Sequence, residues 1–550
     1  MSDAHANETL SFTDAFFLYL EQPGAPLNVA SISAFEGLID LDLCRDYVES
    51  KLPLLPRFLQ RPVTTPFCIG PPTWQYDAHF DVRNHVREIT LKFGTDTEWK
   101  SVVSEVLSAH LDRSRPLWEI TLLRGLKDQR TGVIVKVHHC MVDGVAGVAM
   151  LNALLDPSSV APPLHHKKQS LPPTPPPPDP GTALLDGLIN TCFATAQALL
   201  TAHSELLRMA QQATAKRNES HEDRTQASIG ALASIAPLGG VASLLAELAQ
   251  PTERLPFNVL CRGPQKFDWS EISMAELIAV KEACGATVNE VVLTVLSMAL
   301  RRYAELHKLE VKARKLRLVI PVNVRPSGDV SVSGNQITFL PVDIPWSVRE
   351  PRAFVSLVQE RVKFSRTGHG AELVGLLAIL LGALPTSLQA LAGSTLSQLP
   401  ISVCNSICTN VPGPRTPLYL LGHKMLSTYP YVPIGGEMGM NCAVMSYNGT
   451  LFVGFTGDAK AIPDLSQLAG FFAESFAELR DATGVHIPKK RHPRPKEKIA
   501  ARKAKRVPAA HASAPSSSDP APKAPMGEAA PNVIKGEAAP SENSASAVSV

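Results

Sequence analysis

Two adjacent histidines and an Asp-Gly pair form the part of this sequence whose residue types could do chemistry. Residues 133–144 read V-I-V-K-V-H-H-C-M-V-D-G, so His138 and His139 end a β-branched run and Asp143-Gly144 follows after three residues. Histidine is the usual side chain for moving a proton near neutral pH. The β-branched run predicts a stiff strand, which would fix the direction of each ring. The spacing therefore predicts an acid/base station at the end of a strand.

The two histidines are not expected to share one role. Consecutive residues of an extended segment point to opposite faces, so one ring can face a channel while the other packs behind the strand. Asp143 follows where the chain bends, and it could orient a ring or hold the loop through an arginine. The plainer interpretation is a structural histidine and an ordinary turn. We favour an acid/base site, because the two histidines, the aspartate and the glycine occur together at fixed spacing after a predicted strand. A metal site is disfavoured, because neighbouring strand histidines diverge and no third histidine or cysteine lies at ligand spacing.

The composition is that of a globular protein with a charged tail. The chain has 550 residues, 45 % of them hydrophobic, which allows a large core and more than one domain. The net charge of +2 conceals a basic run of +9 at residues 489–506 and a charge of −2 beyond it, which leaves about −5 for the rest. A mildly acidic body does not suggest a nucleic-acid enzyme, and we expect no nucleic-acid partner. The basic run could contact anionic lipid or RNA, or be a solvated tail.

Cysteine usage and apolar stretches bear on the compartment. Nine cysteines without a C-x-x-C pair indicate reduced thiols and a cytoplasmic setting, and the polar N-terminus is not a secretory signal. Residues 229–246 and 373–384 are apolar. Proline and glycine interrupt the first stretch, and the second is too short to span a bilayer. We interpret both as buried or interfacial helices.

The pattern of elements predicts an α/β protein. A first unit at residues 9–156 is followed by a proline-rich and helical connector at 157–250, and a second unit at 251–486 is followed by a disordered tail at 487–550. Ser11 and Thr287 have the spacing of helix caps. Predicted strands lie at residues 120–123, 133–137, 316–322, 337–344 and 451–455, and a helix is predicted at 145–155.

The histidine segment resembles the active-site motif of the CoA-dependent acyltransferase superfamily, which includes chloramphenicol acetyltransferase and peptide-synthetase condensation domains. Further segments narrow the resemblance to the wax ester synthase/diacylglycerol acyltransferase family, and it covers about residues 9–486 without much of the connector. These segments follow in the family's order at residues 10–21, 111–118 (with Pro-Leu-Trp), 323–326, 334–335, 410–414 and 446–449. The chain departs from the family at Asn289-Glu290, where Asn-Asp is usual.

The resemblance implies two chloramphenicol-acetyltransferase-like lobes with a substrate channel between them. It implies no bound cofactor, acyl-CoA as co-substrate, and diacylglycerol or a long-chain alcohol as acceptor. His139 is then the expected general base, which takes the proton of the acceptor hydroxyl and returns it to the leaving sulfur. An acyl-enzyme on Cys140 is disfavoured, since the cysteine would share the strand end with the base.

Supporting roles are expected for His138, Asp143, Gly144, Asn289 and Arg325. Asp143 could pair with Arg325 across the lobes or serve a local turn, and Gly144 would let the loop turn tightly. Asn289 either takes part in catalysis or is a plain polar residue in the first turn of a helix.

The expected function is transfer of a long-chain fatty acyl group from acyl-CoA to a hydroxyl, which forms triacylglycerol, wax ester or both as storage lipid. The protein is expected to associate peripherally with the inner membrane face or with lipid inclusions. Two alternatives are a related acyltransferase with another hydroxyl acceptor, and a non-catalytic lipid-body protein of the same fold.

Overall fold

Two six-stranded mixed sheets organise the described part of the chain. The computed structural model describes residues 8–160, 252–311, 314–323, 337–367, 378–399 and 404–485, with single positions and runs of two or three residues between 181 and 204, and with residues 375 and 402. The helices described over their full length are α1 Phe12–Leu20, α2 Leu41–Lys51, α3 Asp96–Ser108, α4 Gly144–Leu154, α5 Met274–Ala283, α6 Val288–Leu306, α7 Pro351–Thr367, α8 Thr386–Leu396 and α9 Leu465–Thr483. The strands are β1 Asn28–Phe35, β2 Gln60–Val63, β3 Thr73–Tyr76, β4 Val86–Thr90, β5 Trp118–Leu126, β6 Arg130–His138, β7 Gln265–Ser273, β8 Lys315–Asn323, β9 Ile337–Pro345, β10 Ser406–Pro412, β11 Tyr419–Leu420, β12 His423–Tyr431, β13 Met440–Tyr447 and β14 Thr450–Asp458.

The first sheet carries the histidine strand near its centre. Its order is β11-β12-β1-β6-β5-β4, and all neighbours are antiparallel except β4 and β5. The register of β1 on β6 pairs Asn28 with His138 and Val29 with Val137. Each strand and helix predicted in residues 9–156 is present within a few residues of its expected bounds.

In the second sheet, strand β10 changes its hydrogen-bonding partner along its length, at the point where a cavity opens between the two sheets. Its order is β7-β14-β13-β10-β8-β9, with parallel pairing of β10 to both β13 and β8. β10 pairs with β8 at Ser406 and Ile407 and with β13 from Cys408 to Pro412. The helix that packs on this sheet, α6, begins with the predicted capping box: the Thr287 amide donates to Glu290 Oε2 at 2.8 Å, and the Glu290 amide donates to Thr287 Oγ1 at 3.3 Å.

β11 and β12 belong to the first sheet although they come from the C-terminal half of the chain. β12 pairs with β1 from Ala30 to Phe35. The sequence-based division at 9–156 and 251–486 stays a prediction, but it did not foresee this exchange. Pairing between strands almost 400 residues apart leaves no local pattern, whereas caps and strand alternation are local.

Several predictions fall on residues outside the described ranges. Arg325, Gly334, Asn335, residues 229–246, most of the connector and the tail at 487–550 are among them. Among the described residues no single helix is long and apolar enough to cross a bilayer; α5 and α6 meet the length and composition test only together, across a bend of 96°.

Candidate active site

β6 presents the two histidines to opposite sides, as predicted. His138, 1 % exposed, points behind the sheet, whereas His139 is half-buried and lines a cavity. The His138 amide donates to the Leu117 carbonyl and the His139 amide to the Leu27 carbonyl, both at 2.9 Å. Backbone hydrogen bonds on both sides therefore fix the strand end that carries the rings.

The His139 ring stacks on Phe17 of α1. The ring centroids are 3.9 Å apart and the planes differ by 7°. A stacked ring of this kind restricts the rotation of the imidazole without using either nitrogen. Phe17 lies within the segment 10–21 that resembles the family's opening, but nothing in its residue type pointed to the histidine.

Behind the strand, His138 is held as a neutral ring. The Cys140 amide donates to His138 Nδ1 at 3.1 Å, and His138 Nε2 lies 3.4 Å from Glu21 Oε1. An amide nitrogen is always the donor, so Nδ1 is the acceptor and the proton of the neutral ring lies on Nε2, facing the carboxylate. Burial lowers the pKa of His138, which keeps the ring neutral near pH 7.

Glu21 ties this assembly together, and sequence reasoning missed it. Burial alone would raise the pKa of Glu21, but the Nε2–H of His138 and the charged, hydrogen-bonded guanidinium of Arg113 outweigh it and hold the pKa well below its usual range. Arg113 Nη2 donates to Oε2 at 2.7 Å, and the Leu27 amide donates to Oε1 at 3.1 Å. Since Leu27 in turn accepts from the His139 amide, the carboxylate supports both histidines. The only sequence signal was that Glu21 and Arg113 lie in two of the segments shared with the family.

Asp143 and Gly144 begin α4 beside His139. Asp143 is buried, and its Oδ1 accepts from the Ala146 amide at 2.8 Å, which is the contact of a helix N-cap. Arg325 lies outside the described residues, so its pairing with Asp143 stays a prediction. The tight turn expected at Gly144 stays a prediction, since its backbone is not in the left-handed region. The structure adds a second reason for glycine: a Cβ there would lie 2.8 Å from Val411 Cγ2 of β10, where two elements approach closely.

Asn289 is not brought into this cavity. It lies in the first turn of α6, and within the described residues its Oδ1 is buried without a hydrogen-bond partner. The carboxylate of Glu290 is used in the cap of the same helix. The departure from the family's Asn-Asp therefore has a local structural use, and the role of Asn289 stays a prediction.

The first cavity, which His139 lines, lies between the two sheets and has a volume of about 410 Å³. Its walls come from β1, β6 and β12 of the first sheet, from α4, and from β8, β10 and β13 of the second sheet. Most lining side chains are apolar. The polar ones are Ser31, His139, Asp143, Thr409, Asn410 and Tyr431.

The arrangement suits proton transfer next to an apolar substrate. The His139 imidazole opens onto the first cavity, while burial raises the pKa of Cys140 well above its usual value and keeps it a thiol. A buried thiol of this kind is a poor nucleophile. In the described part of the chain, no cluster of three or more histidine, cysteine or carboxylate side chains could hold a metal ion.

Family comparisons agree with this geometry. A family model described as the wax ester synthase/diacylglycerol acyltransferase catalytic domain matches residues 10–292, and one described as the C-terminal domain of the same family matches residues 333–480. A putative diacylglycerol O-acyltransferase of Mycobacterium tuberculosis is 30 % identical over 501 aligned residues, in an alignment that covers 87 % of this chain and 91 % of that protein. A second, probable diacylglycerol O-acyltransferase of the same organism is 25 % identical over 86 % of this chain and 95 % of that protein.

Solved structures share the two-lobed fold. The wax ester synthase/diacylglycerol acyltransferase from Marinobacter aquaeolei superposes with a TM-score of 0.56 at 23 % identity, over 87 % of this chain and 100 % of that chain. The first condensation domain of the CDA synthetase superposes with a TM-score of 0.54 at 15 % identity, over 88 % and 97 %. The expected α/β architecture of two lobes is thereby confirmed. By its family models and its relatives, this chain is an acyltransferase that belongs to the wax ester synthase/diacylglycerol acyltransferase family.

Proposed function

We propose that the protein transfers a long-chain fatty acyl group from acyl-CoA to the hydroxyl of diacylglycerol or of a long-chain alcohol, which forms triacylglycerol or wax ester. The observation that carries this proposal is the His139 ring at the wall of an apolar cavity of about 410 Å³. Relatives named diacylglycerol O-acyltransferase support the acceptor. A condensation domain of the same fold, solved in complex with C8-CoA, supports an acyl-CoA donor.

His139 acts as the general base in this proposal. Its ring takes the proton of the acceptor hydroxyl while the hydroxyl oxygen attacks the thioester carbonyl, and a tetrahedral oxyanion forms. Collapse of that intermediate breaks the carbon–sulfur bond, and the protonated ring gives its proton to the leaving sulfur. A thiol has a pKa of about 8.5, so the leaving group needs little assistance. His138, Glu21 and Arg113 position the strand end.

The test is thiol release from palmitoyl-CoA by purified protein that is offered hexadecanol or a diacylglycerol. We expect acceptor-dependent release. His139→Ala should lower its rate by about 10²–10⁴-fold, because general acid/base catalysis typically accelerates a reaction by that factor. The melting temperature should change little, because the ring is only half-buried at the wall of the cavity.

Other results would point elsewhere. Absence of release from well-folded wild-type protein would favour another hydroxyl acceptor or the non-catalytic interpretation. Equal rates for wild type and His139→Ala would show that another group is the base.

We also infer that the protein binds peripherally to lipid surfaces. Three elements expose large apolar side chains: Phe67, which is 87 % exposed, Leu388 and Leu391 of α8, and Phe193 of the connector. We call these four residues the apolar surface. Their exposure favours contact with something other than water.

The elements that carry the apolar surface touch one another. Thr386 Oγ1, at the start of α8, donates to the Cys68 carbonyl at 2.7 Å and accepts from the Gly70 amide at 2.9 Å. A Cβ on Gly70 would lie 2.8 Å from the Cα of Gly187, so the connector also reaches this loop.

α8 in turn packs on α1, the helix of Phe17. A Cβ on Gly393 of α8 would lie 2.7 Å from Cβ of Tyr19. The apolar surface is thus one helix away from the ring that stacks on His139. Lipid substrates would have a short path from a membrane surface to the site, and the basic run at 489–506 would add attraction to anionic headgroups.

Flotation with phosphatidylcholine vesicles, with and without phosphatidylglycerol, tests this. We expect wild type to float, and the double variant Phe67→Ser/Leu391→Ser to bind at least about tenfold more weakly, because each side chain loses apolar burial. Phe93→Ser is the matched control, an exposed phenylalanine in the loop between β4 and α3. The proposal fails if wild type does not float, or if Phe93→Ser weakens binding as much as the double variant.

A further inference from the structure

The first cavity adjoins a second one, and the two cavities share two lining side chains, which we call the wall. The second cavity, about 20 Å³, lies within the first lobe between β1, β6, α2 and α4 and has mostly apolar lining. Val135 of β6 and Leu151 of α4 line both cavities. Both side chains are buried, at 8 % and 5 % exposure.

The second cavity continues the first on the side away from His139. Along β6, the first cavity is lined at His139, Val137 and Val135, and the second at Val135 and Val133. A strand rises about 3.3 Å per residue, so Val135 lies roughly 13 Å from His139. The same order appears on β1 and α4. On β1, residues 29–31 line the first cavity and residues 33 and 35 the second; on α4, residues between 144 and 151 line the first cavity, and Leu151, Leu154 and the capping Leu155 line the second.

The polar atoms along this path are paired with one another. Ser31 Oγ lies 3.1 Å from Ser33 Oγ and 3.0 Å from Thr428 Oγ1, and Ser33 Oγ donates to Thr428 Oγ1 at 3.0 Å. A methylene chain that passes over these hydroxyls would break none of their hydrogen bonds. The path from His139 toward the wall therefore suits an alkyl chain.

We propose that Leu151 and Val135 set the length of the alkyl chain that the enzyme accepts, by closing the first cavity off from the second. This inference rests on the proposed acyl transfer, in which the chain belongs either to the acyl donor or to the alcohol. An added methylene that finds apolar room is worth about fourfold in kcat/KM. A methylene that meets the wall must displace packed side chains, and the gain becomes a loss.

Leu151→Ala and Leu154→Ala form a matched pair for the test. Both change the same side chain on one helix, and both leucines are buried. Leu154 lines the second cavity but not the first, so its replacement enlarges the space behind the wall and leaves the wall intact. Val135→Ala opens the wall from the strand side with a smaller loss of packing, and serves if Leu151→Ala does not fold.

The measurement is thiol release over two series, with melting temperatures recorded for each variant. One series runs from octanoyl-CoA to icosanoyl-CoA with hexadecanol; the other runs from octanol to icosanol with palmitoyl-CoA. We expect Leu151→Ala to move the optimum of one series by about two to four carbons toward longer chains, because removal of the isopropyl group would connect the two cavities. The series that moves identifies which chain lies along β6. Leu154→Ala should leave both optima where wild type has them.

Two outcomes overturn the proposal and are distinguishable. Folded, active Leu151→Ala and Val135→Ala with both optima unchanged would show that the wall does not limit the chain, while acyl transfer stands. No release by folded wild type over either series would overturn the acyl transfer itself and this inference with it.

Discussion

Adjacent histidines have separate tasks here because a strand separates them. His138 is locked by Cys140 and Glu21 on the closed side of β6, while His139 is held by the Phe17 stack on the cavity side. The sequence predicted this division from strand geometry alone. It did not predict Glu21 or Phe17. Phe17 lies on one face of α1 and Glu21 at the end of that helix, more than 100 residues before the histidines, and only the folded chain brings them together.

The buried His138 predicts an acid-sensitive fold. Burial lowers its pKa in the folded protein, whereas in the unfolded chain it binds a proton near pH 6.5. The unfolded state therefore binds more protons below that value, and the free energy of unfolding falls as pH falls, by at most about 1.4 kcal/mol per pH unit from this residue. Urea denaturation at about pH 7.5 and about pH 5.5 measures the loss.

His138→Asn is the comparison for this prediction. The asparagine Oδ1 can still accept from the Cys140 amide but does not titrate. Wild type should lose more unfolding free energy than the variant between the two pH values. His85, whose pKa is also lowered by burial, contributes equally to both proteins. Equal losses in the two proteins would mean that His138 is not the titrating group.

At the scale of elements, the start of α4 and the strand β10 are fitted to each other. Gly144→Ala would place a Cβ 2.8 Å from Val411 Cγ2, so we expect a cost of about 1–3 kcal/mol in the free energy of unfolding and slower thiol release, as Asp143 and α4 shift. Val411→Ala removes the opposing methyl group.

The double variant Gly144→Ala/Val411→Ala decides between two reasons for the glycine. Recovery of most of the lost stability, measured as a double-mutant cycle in urea, would confirm the close approach. No recovery would favour the tight turn that the sequence suggested.

The capping box at the N-terminus of α6 allows a prediction for Glu290→Asp, which introduces the residue that is usual in the family. Glu290→Asp shortens the carboxylate by one methylene, so it should no longer reach the Thr287 amide that it now accepts from at 2.8 Å. We expect a loss of about 0.5–1 kcal/mol in the free energy of unfolding. Glu276→Asp, near the start of α5, is a control, since its side chain does not close a capping box. A more stable Glu290→Asp protein would contradict this account of the departure.

Elements were predictable from sequence to the extent that their signals are local. The N-cap at Ser11, the capping box at Thr287, the strands at 316–322 and 451–455, and the helix after the histidines each follow from neighbouring residues, and the structure confirms them. The wall between the two cavities and the β1–β12 pairing depend on contacts between distant segments. No periodicity within one segment encodes such contacts.

At the scale of the whole molecule, β12 joins the two sheets. Its backbone pairs with β1 of the first sheet, while two of its tyrosine side chains and the carbonyl that follows it are bound by the second sheet. Tyr431 donates to Gln265 of β7, Tyr429 to Glu271 of β7, and the Thr456 hydroxyl of β14 to the Val432 carbonyl just beyond β12. Ser104 and Ser108 of α3 likewise accept from backbone amides of β7.

Residues 1–160 expressed alone should therefore not form a stable first lobe. The edge of β1 from Ala30 to Phe35 would lack its partner, and an unpaired edge of this length promotes aggregation. Size-exclusion chromatography should show oligomers or precipitate. Co-expression with residues 252–485 should restore a soluble complex, and a monomeric, cooperatively folded 1–160 would refute the prediction.

The attachment of β12 to both sheets also determines how substrates enter the cavity and how the product leaves it. Pro430 and Tyr431 of β12, with Val432 just beyond it, line the first cavity, and β12 is hydrogen-bonded to both sheets. Such a cavity should not open by separation of the two sheets, because that would break the hydrogen bonds of β12 either to β1 or to β7. A long chain must then be threaded in and drawn out lengthwise. Exit of the product, whose two chains are already joined, becomes a natural rate-limiting step, visible as a burst of thiol followed by slower steady turnover.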